Sequence, residues 1–362
     1  MKNIFILCAI LVTVSCNTSK QESETTSEHP KNVIFMIGDG MGVAQIQAAM
    51  AANGNHLNIE RLTTTGFSKT SSSSHTITDS AAGATAFSIG VKSYNGAIGV
   101  DKDTVSQTTI LEYAEKAGLA TGLVATSSIT HATPASFIAH QPYRKMAEAI
   151  ASDFLKTDID VFIGGGKKYF ESRKDGQNLL DSLREKGYKT VFSLDELGKL
   201  VKGKAAVLLS DSGMLPFAKG RGDMLAPASM KAIELLSQNE KGFFLMIEGS
   251  QIDWGGHMND IDYVVSELLD FDNTIGQVLD FAEKEGNTLV VITADHETGG
   301  LTLVGDNIMQ DSSAIHFSTT HHTSVMVPVY AEGPGAGSFK GTYENNTIFS
   351  KLMNALSLEA NN

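Results

Sequence analysis

Short apolar runs, each followed by a turn or a polar residue, limit what this chain can fold into. Residues 33–37 read V-I-F-M-I and run into G-D-G-M-G, after which a helical pattern begins at about Val43. A continuous apolar run of that length, with no alternation, is a strand buried on both faces. Comparable runs occur at 120–126, 160–163, 243–247, 288–293 and 325–330, with helical stretches at 110–117 and 261–283 among them and a last one near 347–355. Strands that alternate with helices build a largely parallel sheet between layers of helices. The expected fold class is therefore α/β, in one domain over residues 30–358.

Between these runs the chain is mostly connective. Residues 91–101 read as a turn-rich surface segment, 219–223 (K-G-R-G-D) as a loop, and 299–318 as a loop or short hairpin. Gly164-Gly165-Gly166 reads as the turn that stops strand 160–163. It is not a phosphate loop, because Lys167 is followed by Lys168 rather than Ser or Thr. Residues 167–240 carry no reactive constellation.

The N-terminus has its own signature. Lys2 and the apolar stretch 4–14 make residues 1–16 a signal for export, too short to span a bilayer. Ser15-Cys16 resembles a lipoprotein processing site, with simple secretion and nearby cleavage as the alternative. Residues 17–29 are polar and aperiodic, a tether to a periplasmic or cell-surface location. The two cysteines, Cys8 and Cys16, both fall in this region, so the mature chain has no disulfide and metal ions could supply cross-links instead. A formal net charge of −13 argues against nucleic acid as a partner and would repel an anionic substrate unless local cations intervene.

The stretch 75–85, H-T-I-T-D-S-A-A-G-A-T, reads as an extended segment entering a helix at Asp79 and Ser80. Ser80 there is either a simple cap or a nucleophile beside the free N–H groups of a first helical turn, which favour a phosphate. Asp39, Glu248, Asp253, Asp295 and His296 fall at or just after predicted strand ends, with His257 and His322 close to others. In a parallel sheet such ends share one edge. Each alone is a turn former, and Asp39 alone could be an Asx turn. Together they concentrate charge that a divalent metal would neutralise, and a mixed Asp/His set suits zinc. Asp253 and His257, four apart, share a face if their segment is helical.

At this point the chain resembles the alkaline phosphatase family over most of residues 31–335. T-D-S-A-A-G-A-T-A resembles the family's nucleophile motif and H-A-T-P-A its magnesium-site motif. E-G-S-Q-I-D-x-x-x-H, T-A-D-H and H-H-T follow in the family's order. The resemblance implies a three-layer α/β/α sandwich and hydrolysis of small-molecule phosphate monoesters at alkaline pH, through a phosphoserine at Ser80. It implies one Zn2+ on Asp253, His257 and His322, and a second on Asp39, Asp295, His296 and the Ser80 oxygen. It implies Mg2+ on Asp39, Thr133 and Glu248, with His131 behind them. Arg144 would clamp the phosphate and Asp79 would orient it. His131 and Trp254 stand where other members carry Asp, and Lys or His, a combination similar to that of marine and cold-adapted bacterial members. Trp254 either tunes phosphate release or simply packs. Family members are often homodimers, although no interface is legible in the residues. A sulfatase is disfavoured, since no Cys-x-Pro-x-Arg occurs.

Overall fold

The computed structural model describes residues 29–305 and 312–359. The export signal at 1–16, with Cys16, and the tether through residue 28 lie outside the described residues. Among the described residues the strands are, in chain order, β1 (Asn32–Gly38), β2 (Thr64–Lys69), β3 (Ala120–Ser128), β4 (Val161–Gly165), β5 (Lys189–Val191), β6 (Ala205–Leu208), β7 (Phe243–Gly249), β8 (Thr288–Thr293), β9 (Glu297–Thr298), β10 (Leu301–Leu303), β11 (Ile315–Phe317), β12 (His322–Thr323), β13 (Val327–Glu332) and β14 (Gly341–Glu344). Ten of them form one sheet in the order β14-β2-β13-β8-β1-β7-β3-β4-β6-β5. Only β13 runs against the others; its pairs with β2 and β8 are antiparallel, and the remaining pairs are parallel.

The sheet is the middle layer of three. Along β1, Val33, Phe35 and Ile37 enter a core shared with the helices Ser80–Ile89, Ile110–Ala117 and Thr347–Ala355. Ile34 and Met36 enter the opposite core, under the helices Val43–Ala52, Leu225–Leu236 and Ile261–Glu285. This two-sided burial is why the run at 33–37 carries no alternation. Each such side chain, taken fully out of water, contributes about 1.5–3 kcal/mol. The expected three-layer architecture is the one observed.

Three sequence expectations need correction. The triple glycine does not stop its strand, because Gly164 and Gly165 belong to β4. A Cβ on Gly165 would lie 2.3 Å from the Ser212 carbonyl oxygen, so glycine is there for close packing rather than for a turn. Residues 91–101 are not all surface, since Ala97, Ile98 and Val100 are buried. The last strand of the 325–330 run begins at Val327 and continues to Glu332, because Ala331 and Glu332 still pair with Val291 and Val290 of β8. Loop 219–223 is also more firmly held than its composition suggests. The Arg221 side chain is buried, with Nη2 2.7 Å from both Glu267 and Asp270 of the helix Ile261–Glu285. No helix among the described residues is long and apolar enough to cross a membrane.

Candidate active site

The centre of the sheet brings three carboxylates to one edge. In the register of β8-β1-β7, Ile37 stands opposite Glu248 on one side and Thr293 on the other. Asp39 therefore emerges just beyond β1 between Glu248 of β7 and Asp295 beyond β8. Gly40 has φ +75, and a Cβ there would stand 2.7 Å from the Asp253 Cα, so the turn after β1 requires glycine. The Gly40 amide donates to Asp295 Oδ1 at 3.2 Å.

Asp253 and His257 lie on the short helix Ile252–Met258, as their spacing anticipated. Their side chains meet, with His257 Nε2 3.3 Å from Asp253 Oδ1. His322 comes from the far end of the sequence. It sits in β12, which pairs with β9 beside Asp295 and His296, just before β13 descends from this edge. His322 Nε2 lies 3.1 Å from His257 Nε2 and 3.4 Å from Asp253 Oδ1.

The imidazoles are fixed by their other nitrogens. His257 Nδ1 is 2.7 Å from the Thr320 carbonyl and His322 Nδ1 is 2.9 Å from the Thr78 carbonyl. A carbonyl only accepts, so each Nδ1 carries a proton and donates. In the neutral rings the two Nε2 lone pairs then face each other and the Asp253 carboxylate, an arrangement that a cation relieves. His296 follows the same logic. Its Nδ1 is 3.2 Å from Thr298 Oγ1, a hydroxyl that itself donates to Asp253, which leaves Nε2 facing Asp295 at 3.1 Å and Asp39 at 3.5 Å.

Among the described residues, three groups of side chains have ligand atoms within 4.8 Å of one another: Asp253, His257 and His322; Asp39, Asp295 and His296; and Asp39, His131 and Glu248. The first two are the sets the resemblance implied for zinc. The third draws His131 in closer than a supporting position behind Thr133 and Glu248. Several buried atoms here have no hydrogen-bond partner: both Asp39 oxygens, His131 Nδ1, Thr133 Oγ1, Glu248 Oε1 and Asp295 Oδ2. Buried oxygens and nitrogens left unpaired in one place are costly unless something positive lies between them. The donor set fits divalent cations in oxygen-rich and mixed oxygen–nitrogen sites.

The electrostatics agree. Burial, then the neighbouring Asp295, pushes the Asp39 carboxyl well above its ordinary range, and burial raises Glu248 to about 7. Burial also works to raise Asp253, but the hydrogen bonds of His257 and His322 outweigh it and hold the carboxyl well below the usual range. The same hydrogen bond with Asp253 lifts His257 to about 9. Burial, reinforced by Arg144, lowers His131 to about 4.

Ser80 opens the helix Ser80–Ile89, with Asp79 as its cap; Asp79 Oδ1 accepts from the Ala82 amide at 3.0 Å. The helix is packed tightly enough that a Cβ on Gly83 would lie 3.0 Å from the Asp295 Cβ. Ser80 Oγ is consequently 3.3 Å from His296 Nε2. Asp79 Oδ2 takes Arg144 Nη1 at 2.9 Å, and Arg144 Nη2 is 3.5 Å from His131 Nε2. The Trp254 ring stands edge-on to His131, with centroids 5.9 Å apart. A separate cavity of about 850 Å³ lies at the opposite end of the strands beside Arg61, Thr288 and Glu332, and holds none of these residues.

Sequence reading passed over Thr298, Gly40 and the carbonyls of Thr78 and Thr320. Only the run T-A-D-H-E-T-G-G (293–300) placed Thr298 near a motif, and a backbone carbonyl leaves no mark in a sequence.

A family profile described as alkaline phosphatase matches residues 30–312. The chain is 39% identical to alkaline phosphatase 4 of Bacillus subtilis, over 91% of this chain and 75% of that protein. It is 33% identical to the alkaline phosphatase of Escherichia coli, over 93% and 88%. Among solved structures, the alkaline phosphatase of the Antarctic bacterium TAB5 superposes with a TM-score of 0.87 at 44% identity, covering 92% of this chain and 99% of that one. A histidine-to-aspartate variant of the TAB5 enzyme, with Mg bound in its M3 site, superposes with a TM-score of 0.86.

Proposed function

The chain belongs to the alkaline phosphatase family and hydrolyses phosphate monoesters; from that premise we propose that it does so through a phosphoserine formed at Ser80. The observation that carries the proposal is the position of Ser80 Oγ. It lies at a helix N-terminus, 3.3 Å from His296 Nε2, with Arg144 tied to the adjacent Asp79.

Two Zn2+ would be held by Asp253, His257 and His322, and by Asp39, Asp295 and His296 with Ser80. One Mg2+ would be held by Asp39, Thr133 and Glu248, beside His131. Bound there, such ions supply Lewis acidity and positive charge to a phosphoryl group. The chain's own residues do the rest. Ser80 Oγ forms the bond to phosphorus as the ester oxygen leaves with the alcohol. Water then takes the phosphoryl group from Ser80, and inorganic phosphate departs. The amides of the first helical turn favour the negative charge throughout. Arg144 presents a planar fork to two phosphoryl oxygens, and Asp79 keeps that fork aimed. An alkaline optimum is expected from the family resemblance, and the metal-free ligands take up a cation more readily as pH rises. Glu248 at about 7 and His257 at about 9 must both shed protons before they hold a cation.

Arg144 addresses oxygens that a diester blocks. Arg144→Ala should therefore lower kcat/KM for p-nitrophenyl phosphate by roughly a hundredfold, the loss of two charge-assisted hydrogen bonds. Hydrolysis of bis-p-nitrophenyl phosphate should hardly change. Equal losses on the two substrates would remove the clamp from Arg144. A wild-type preference for the diester would move the activity to phosphodiester hydrolysis.

We read residues 30–358 as one catalytic domain, exported on the signal at 1–16 and tethered by 17–29. The mature protein is expected to begin at a lipid-modified Cys16. Mass spectrometry of the N-terminal peptide tests this, and an unmodified N-terminus beyond Cys16 would replace the lipid anchor by secretion.

A further inference from the structure

Arg144 is carried by a strip of chain, residues 139–144, that lies antiparallel to residues 96–99. Gln141 N donates to the Ile98 carbonyl at 2.9 Å, Ile98 N donates to the Gln141 carbonyl at 3.0 Å, and Arg144 N donates to the Gly96 carbonyl at 2.8 Å. Gly96 N in turn donates to Asp79 Oδ1 at 3.0 Å, while Asp79 Oδ2 holds the Arg144 guanidinium. The arginine is thus gripped at main chain and side chain by one closed set of contacts, and Gly96 is its hinge point.

The far end of the two strips is fastened by His140. Its Nδ1 is 2.8 Å from the Gly99 carbonyl and its Nε2 is 3.1 Å from Glu112 Oε1. Glu112 cannot drift, because its Oε2 accepts from Thr109 N at 2.7 Å in the capping box that starts the helix Ile110–Ala117. Thr109 Oγ1 also donates to the Phe137 carbonyl at 2.7 Å, which ties the helix start to the chain just before the strip. There is no slack between the strips, since a Cβ on Gly99, at φ +58, would lie 2.1 Å from the Ala139 carbonyl oxygen.

Both partners of the His140 ring are acceptors, a carbonyl and a carboxylate. Both contacts are hydrogen bonds only if the ring carries two protons. The other charged groups nearby are Asp153, which accepts from His140 N at 3.0 Å and from Gln141 Nε2 at 2.7 Å, and Lys156, which donates to Asp153 at 2.6 Å. Burial works against a charged His140, but Glu112, the Gly99 carbonyl and Asp153 together outweigh it and the ring's pKa is raised.

We propose that the His140–Glu112 ion pair positions Arg144, by locking residues 96–99 against residues 139–144 and so fixing where the guanidinium meets the phosphoryl oxygens. His140 is a positioning residue, acting only through Arg144. The proposal rests on the phosphate-clamp reading of Arg144. A clamp displaced by a fraction of an ångström loses binding without losing the fold.

The test is competitive inhibition by inorganic phosphate in four metal-loaded proteins: wild type, His140→Gln, Arg144→Ala and the double variant. His140→Gln should raise the phosphate inhibition constant about tenfold in the wild-type background, with KM rising more than kcat falls. In the Arg144→Ala background it should add nothing, since coupled residues are not additive. Glu112→Gln, which leaves the imidazole in place, should move the constant in the same direction and serves if His140→Gln does not fold. An equal increase in both backgrounds overturns the positioning role and leaves the clamp intact. Unchanged inhibition in both His140→Gln and Glu112→Gln, with full metal content, overturns it as well. If Arg144→Ala itself leaves phosphate inhibition unchanged, the clamp reading fails and the positioning role falls with it.

Discussion

Ser80→Ala should lower turnover of a phosphate monoester by roughly three orders of magnitude or more, with metal content unchanged. The substitution removes one atom, Oγ, and little else. Alanine is a good helix former, and the cap belongs to Asp79, whose contact with the Ala82 amide remains. Asp295 keeps its bonds from the Gly40 and His296 amides and His296 keeps its contact with Thr298, so these protein ligands stay in place. What disappears is the hydroxyl proposed as nucleophile, 3.3 Å from His296 Nε2. Acid quenching with labelled substrate gives a second readout. Label should remain on the wild-type chain and be absent from the variant. Near-full turnover in Ser80→Ala would remove the nucleophile assignment, and label retained on the variant would move the intermediate to another residue.

The central strands were legible because they are buried on both faces. V-I-F-M-I, the core of β7 and T-L-V-V-I-T need no partner information to be read as strands. The outer strands were not. β2, T-T-G-F-S-K, alternates buried and exposed positions and ends in a lysine, and β14, G-T-Y-E, is short and half exposed. Such segments become strands only because β13 and the sheet edge are there to pair with them. The same contrast holds at the site. Asp39, Glu248, Asp295 and His296 were readable because a parallel sheet delivers strand ends to one edge. The close approach of His322 to His257 depends on β12 pairing with β9, two strands of two residues each, which no periodicity reveals. The fixing of the imidazoles by Thr298, Thr78 and Thr320 depends on backbone position and one hydroxyl. The triple glycine misled for a related reason. Glycine marks both turns and tight contacts, and only the neighbouring Ser210 and Ser212 decide which.

Removing the metals should abolish activity and destabilise the protein by an amount that grows as pH rises. In the metal-free protein, protons stand in for the cations. Glu248 is raised by burial from an ordinary 4.5 to about 7. A carboxyl raised in the folded state favours folding below its unfolded pKa, and that advantage is lost as pH climbs to the folded value. His257 has the same sign. Its pKa rises from 6.5 to about 9 through Asp253, so the charged pair helps the fold at pH 6 and is lost as pH passes 9. Asp253 works oppositely, but it is held well below its usual range and changes nothing in this window. His131, held by burial at about 4 against an ordinary 6.5, has the opposite sign below about pH 6.5, so the metal-free protein should weaken most clearly between about pH 6.5 and pH 9. Glu248 alone accounts for on the order of a few kcal/mol. The loaded protein should not follow, because a bound divalent ion replaces those protons and holds the carboxylates ionised. Thermal melts of chelated and zinc- and magnesium-loaded protein should separate by ~5 °C or more at pH 9, and by clearly less at pH 5. Reloading chelated protein at pH 7 should release protons, measurable in two buffers of different ionisation enthalpy. A melting difference that stays constant across the range would mean that Glu248 and His257 do not change protonation when the site fills, and would separate them from the metal sites assigned to them.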